Sequence, residues 1–252
     1  MMLRGALSIV WRDLIVLRRS LFSELLAVVA SPLTLFFAFG FGLKGYITAV
    51  DGVPYAVFIA PGLISMTAVL AAFEESAWSM WFHRRVQKTI EEYRVTPITV
   101  YDIVVGKLIS GFTQGGIKGV AVAVVIFLIT PFRFPLQNLS IYLLFIALGS
   151  MIFSCLGTIC GTVMDKPENI GRIQSVVIMP LIFMSGIFFP LSSYPPSILP
   201  VIRLLPSTAL FEGARTALLS GASSMLSLLI LGGTAVVMFA LAVVVFNRKI
   251  EE

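Results

Sequence analysis

Charge, histidine and cysteine are all scarce in this chain of 252 residues. Charged side chains make up 12% of it, against about a quarter in a soluble domain, which excludes an ordinary water-soluble fold. His83 is the single histidine. Neither H-E-x-x-H nor G-x-S-x-G occurs, so the usual metalloprotease and serine hydrolase arrangements are missing, while acid–base chemistry built on carboxylates alone stays open. The phosphate-cradling G-x-x-x-x-G-K-[ST] is also absent, so no nucleotide-binding loop is legible and any energy for active work has to come from a partner. The two cysteines, Cys155 and Cys160, fall five residues apart within one apolar run, a spacing that implies neither a disulfide nor a metal site. No catalytic residue and no metal ligand set emerges.

Apolar residues are abundant instead, at 58% of the chain with a mean hydropathy of +0.99. Crossing a hydrocarbon core of about 30 Å takes about 20 apolar residues. Six runs meet that length, at residues 22–43, 56–80, 102–130, 140–163, 173–190 and 224–246. They are continuous, as in VAVAVVIFLI, and lack the short alternating segments of a membrane barrel. The predicted fold is therefore an all-α integral membrane protein with six transmembrane helices in a single domain. The first run carries Glu24 near its start and no small-residue cleavage site, so it reads as a retained span.

The net charge of +5 needs no nucleic acid to explain it. In the six-span arrangement only Lys44, Arg133, Arg203 and Arg215 fall on one side and Lys118 falls inside a span; every other lysine and arginine lies on the opposite side. That is the positive-inside pattern, and it puts both termini in the cytoplasm.

Three connecting segments carry further information. Residues 3–20 place Leu3, Leu7, Val10, Leu14 and Leu17 at helical spacing, with arginines on other faces, as expected of an amphipathic helix lying along the lipid interface. An extension of the first span is the alternative. The second span continues its apolar spacing to Phe82, longer than the bilayer requires, with Trp78 and Trp81 suited to the interface belt. Between the last two spans, residues 190–221 are too few for two crossings and too proline-rich for a long helix, yet too apolar for a solvated loop. Two short helices dipping into the outer leaflet as a re-entrant hairpin fit this composition; a plain extracellular lid is the alternative.

Ionisable groups inside spans are the default functional candidates because burying them in hydrocarbon is costly. The third span sets Lys107, Gly111, Gln114, Gly115 and Lys118 near one face, a polar, small-residue stripe pointing into the bundle, with Gly111, Gly115 and Gly119 allowing close helix approach. Lys107 is expected at the depth of Glu74 and Glu75 and to pair with one of them. Lys118 has no evident acidic partner and is the candidate contact for an anionic substrate group.

One internal segment is crowded with charge: RRVQKTIEEYRVTPITVYDIVVGK, residues 84–107. Its KTIEEY portion makes under two turns, and Pro97 stops a helix near Val95 or Thr96, giving a short helix over residues 88–95 on the cytoplasmic side. This bracket, with its Thr-Pro pair and its Gly-Lys in the third span, resembles membrane subunits of ABC-2 type exporters. So does MPLIFMSGIFFPLSSYPPSILPVIRLLPSTALFEGARTALLSG, residues 179–221, whose Pro, Ser-Gly, Phe-Phe-Pro and terminal Arg before Gly are similar to the family signature. The resemblance covers essentially the whole chain and is greatest to the compact subgroup of polysaccharide, nodulation-factor and drug exporters.

The resemblance implies a permease, not an enzyme, in a cytoplasmic (inner) membrane, moving an amphipathic, lipid-linked or drug-like substrate outward. It implies no cofactor in this chain, with ATP and Mg held by separate cytosolic ATPase subunits, and a second copy of the chain or a paralogous permease as partner. Lys88, Glu91, Glu92, Tyr93 and Arg94 then belong to the helix that couples to the ATPase. Phe188, Phe189, Pro190, Pro200, Pro206 and Arg215 frame an exit gate. A membrane scaffold or small channel not driven by ATP is the rival reading, and a neighbouring gene for a P-loop ATPase separates the two.

Overall fold

The computed structural model describes residues 2–43, 45–89, 99–130 and 135–251. They form a helical bundle with one two-residue strand pair. Helix α1 (Met2–Leu35) runs into a π-helical turn (Phe36–Phe41). A hairpin of β1 (Ala49–Val50) and β2 (Val53–Pro54) follows, then α2 (Tyr55–Arg85), α3 (Val100–Ile129) and α4 (Leu139–Val163). Next come α5 (Pro167–Ile173), a second π-helical turn (Gln174–Ile178) and α6 (Met179–Met184). Two short helices, α7 (Leu199–Leu204) and α8 (Pro206–Ser220), precede α9 (Met225–Glu251).

Among the described residues five helices are long and apolar enough to cross a membrane: Gly5–Phe41, Tyr55–Arg85, Val100–Ile129, Leu139–Val163 and Met225–Lys249. Two differences from the sequence reading stand out. Helix α1 continues unbroken through residues 20–22, so the expected interface helix and first span are one element; no Gly or Pro stands there to turn the chain. The expected fifth span, residues 173–190, is not among the five. The helix starts early, at Pro167, and takes in the polar Glu168, Arg172 and Gln174, and a π-type bond from Met179 N–H to Gln174 O precedes Pro180. The helix then ends near Ser185, before Gly186 at φ +79°, well short of residue 190.

Helix boundaries follow local chemistry. Thr99 and Asp102 form a capping box at the start of α3, with Thr99 N–H donating to Asp102 Oδ2 at 3.0 Å and Asp102 N–H to Thr99 Oγ1 at 3.2 Å. Pro206 opens α8 at its first position, where a missing N–H costs nothing. Gly221, at φ +71°, closes it in the left-handed conformation glycine tolerates best.

Helix α2 is the bundle's axis: 89% of its most apolar window is buried, against 11% for the first helix and 17% for α9. It is held between two glycine-lined faces. A Cβ on Gly111 or Gly115 of α3 would run into the Ala72 or Ala68 carbonyl, and one on Gly157 or Gly161 of α4 into the Phe73 or Ala77 carbonyl. The expected close approach along the third span is therefore present, and α4 repeats it on the other side of α2.

Both termini reach the same end of the bundle. Gly5 abuts Asp102 at the start of α3, and Phe246 near the end of α9 packs in one apolar cluster with Ile9, Ile103 and Val104. We call this the basic end, since Arg12, Arg84, Arg85 and Lys107 gather there. The β-hairpin, α7 and α8 occupy the opposite, hairpin end.

Candidate functional site

At the basic end three helices converge on Lys107. Gly106 of α3 lets α1 approach closely, because a Cβ there would meet Ile9 Cβ at 2.9 Å and Ala6 O at 3.1 Å. That contact aligns Asp13 of α1 with Lys107, whose Nζ lies 2.9 Å from Asp13 Oδ2; the side chains are 4% and 3% exposed. Helix α2 adds Ser79 and His83, four residues apart and so on one face. Lys107 donates to Ser79 Oγ and lies 3.2 Å from His83 Nδ1. Arg12 Nη2 donates to Asp13 Oδ1 at 3.0 Å and approaches the same Nδ1 at 3.4 Å. Two cationic donors on one ring nitrogen require that nitrogen to be an acceptor, which places the imidazole proton on Nε2.

The last turn of α2 also grips the connection between α4 and α5. Arg84 donates to Gly161 O at 3.3 Å and Met164 O at 2.5 Å. Arg85 pairs with Asp165, and Trp81 Nε1 donates to Asp165 O at 3.1 Å. One helical turn is thus tied to α1, α3 and the 164–166 connection. Lys88, exposed and at φ +53°, and Thr89, which donates to His83 O at 3.3 Å, follow directly. Glu91, Glu92, Tyr93 and Arg94 lie outside the described residues.

The expected pairing of Lys107 with Glu74 or Glu75 is corrected by this geometry. Its partner is Asp13, which comes within reach because α1 is one continuous helix packed along α3. Lys118 is likewise paired, with Glu24 Oε2 at 3.0 Å, and Glu24 Oε1 accepts from Ser20 Oγ at 2.5 Å. It does not stand without an acid. Glu75 sits beside Gln114, with Lys118 and Lys107 in electrostatic reach. Glu74 instead accepts from Gln174 Nε2 at 2.5 Å.

Both ion pairs obey one spacing that the sequence reading missed. Asp13 and Glu24 are eleven residues apart on α1, and Lys107 and Lys118 are eleven apart on α3. Eleven residues make about three turns, so two parallel helices bring acids and lysines together at two levels.

At the hairpin end Arg215 of α8 does the corresponding work on backbone. Its Nε donates to Phe58 O at 3.1 Å and its Nη2 to Gly186 O and, at 3.2 Å, to Ile187 O. The guanidinium lies 3.8 Å from the centre of the Phe58 ring. Tyr55 OH donates to Phe188 O at 2.8 Å, and Ser185 Oγ bonds Ser207 Oγ at 2.6 Å. The carbonyls freed where the helix ends therefore accept from donors on α2 and α8. Phe188 is buried, stacked on Phe183 at 5.1 Å and tilted against Phe39 at 4.7 Å. Phe189 and Pro200 are exposed, and Pro190 and Pro206 are half-buried. Of the expected gate residues, Pro190 and Arg215 line one pocket with Arg203 and Glu212, and the Phe188 carbonyl beside it accepts from Tyr55.

Long apolar helices around a buried axis, with ionisable groups paired inside, define a multi-pass membrane protein. A family model described as ABC-2 type transporter matches residues 5–219, and the chain belongs to that family. It is 28% identical over 244 residues to Nodulation protein J of Sinorhizobium fredii (strain NBRC 101917 / NGR234), covering 96% of this chain and 92% of that one. It is 30% identical over 200 residues to Nodulation protein J of Rhizobium meliloti (strain 1021), 78% and 75% of the two chains. With the Inner membrane transport permease YadH of Escherichia coli (strain K12) it shares 28% over 184 residues, 73% and 71%. The chain is a transporter permease.

Proposed function

We propose that this permease is the membrane subunit of an ATP-driven exporter, in which two copies form the pathway and two cytosolic ATPase subunits lie beneath the basic end. Both termini are then cytoplasmic. Residues 167–184 complete the sixth crossing, at about 27 Å of helix. Helix α1 with its π turn is about 60 Å long, so its first turns extend to the cytoplasmic interface. Residues 191–221 re-enter the outer leaflet, with α7 and α8 as the arms of the hairpin and Phe189 and Pro190 at an exit for an amphipathic, lipid-linked or drug-like cargo.

The observation that carries this reading is the last turn of α2. It binds α1, α3 and the α4–α5 connection, and the chain passes from it straight into the charged segment 88–95. Closure of ATPase subunits against that segment would move three helices through this one end. Charge reversal at Glu91 and Glu92 tests this. The double variant is expected to insert normally but to lose most substrate-stimulated ATPase activity and transport when reconstituted with its ATPase. Unchanged transport with normal ATPase association would remove the coupling role.

A further inference from the structure

Glu74 differs from Lys107, Lys118 and Glu75, the ionisable groups nearest it within the long helices. Lys107 has Asp13, Lys118 has Glu24, and Glu75 has two lysines in electrostatic reach. Among the described residues no lysine, arginine or histidine forms an ion pair with Glu74; the polar partner it is given is the neutral amide of Gln174. It is half-buried, about one helical turn inward of Trp78 on α2. A carboxylate at such a depth is costly without a counter-charge.

The carboxylate lines a pocket of about 310 Å³ between α1, α2 and the second π turn. Ser31 and Leu35 form one wall, Met66 and Thr67 another, and Gln174 closes it beside Glu74. Apart from these few polar groups the lining is apolar. Gln174 opens the π turn and lines the pocket, and such turns are frequent at functional sites. An apolar pocket with one unneutralised carboxylate is complementary to an apolar body that carries one positive charge.

We infer that this pocket binds amphipathic cations, with Glu74 as the counter-ion and Gln174 as the group that orients it. The inference rests on the transport reading above and narrows its cargo class. Binding needs no ATPase, so it is measured on the permease alone in nanodiscs, and a failure of ATP coupling leaves the result intact.

The probes are tetraphenylphosphonium and tetraphenylborate, of nearly equal shape and opposite charge. Wild type is expected to bind the cation saturably and at least tenfold more tightly than the anion. Glu74→Gln, which keeps an acceptor for Gln174, should lose at least tenfold in cation affinity and show no loss for the anion. Ser31→Trp, placed at an exposed position on the pocket wall, should weaken cation binding with the carboxylate intact. The inference is overturned if wild type does not prefer the cation, if Glu74→Gln binds it as wild type does, or if a monodisperse Ser31→Trp protein binds it unchanged.

Discussion

Two buried cations sit at opposite ends of this bundle and are neutralised in opposite ways. Lys107 is held by side chains from two other helices: Asp13 of α1 and Ser79 and His83 of α2. Arg215 is held by backbone, the carbonyls of Phe58, Gly186 and Ile187. Side chains can exchange partners when helices shift, and Asp13 already divides itself between Lys107 and Arg12. Carbonyls at a helix break cannot move without unfolding the segment that offers them. The basic end is thus built to be re-sorted, and the hairpin end is built to stay.

The largest effect should come from breaking the fixed end. Arg215→Ala strands the Gly186 and Ile187 carbonyls and removes a second bond from that of Phe58, and a loss of about 3–5 kcal/mol is expected, as for a buried charge network missing one partner. Unfolding titration in detergent measures it. Arg215→Lys should recover less than half, because one ammonium cannot reproduce the planar fork. An unchanged midpoint for either variant would mean that the break is not held by this clamp.

The basic end should yield less, because it has spare partners. Lys107→Met leaves Arg12 on Asp13, so about 2–3 kcal/mol is expected. A double-mutant cycle between Asp13 and Lys107 should give a coupling of about 1–3 kcal/mol, and one between Glu75 and Lys107 under about 0.5 kcal/mol. Equal couplings would restore the pairing that the sequence suggested first.

The smallest effect belongs to Lys118 and Glu24. Glu24 is 33% exposed, and interhelical polar pairs in membranes average about 0.6 kcal/mol. A cycle at this pair should return a value of that order. A coupling as strong as that of Asp13 with Lys107 would make the two levels of the α1–α3 seam equivalent and weaken the distinction drawn for the basic end.

Much of this architecture is legible in the residues. The apolar runs locate the five long helices, the glycines at 111, 115 and 119 announce the close contact with α2, and Pro200, Pro206 and Gly221 mark the two short helices. The continuity of α1 was hidden, because arginines on one face and leucines on another describe an interface helix and the start of a span equally well. The eleven-residue match of Asp13 and Glu24 with Lys107 and Lys118 was present in the sequence. It becomes a signal only once α1 and α3 are known to run parallel. Arg215 was singled out by position, but its partners are carbonyls, which no side-chain pattern encodes. The run expected as a fifth span, residues 173–190, passes the end of its helix because the apolar residues continue beyond Gly186, where the backbone leaves the helix.

The central claim is that the Lys107 cluster transmits motion and is not a mere staple. The most direct test is the double variant Asp13→Leu/Lys107→Met, since replacing a buried ion pair with apolar residues is often neutral for stability. The protein should stay within about 1 kcal/mol of wild type and assemble with its ATPase, while ATP-driven transport in proteoliposomes falls at least tenfold. Transport at the wild-type rate in that stable, assembled variant would contradict the account.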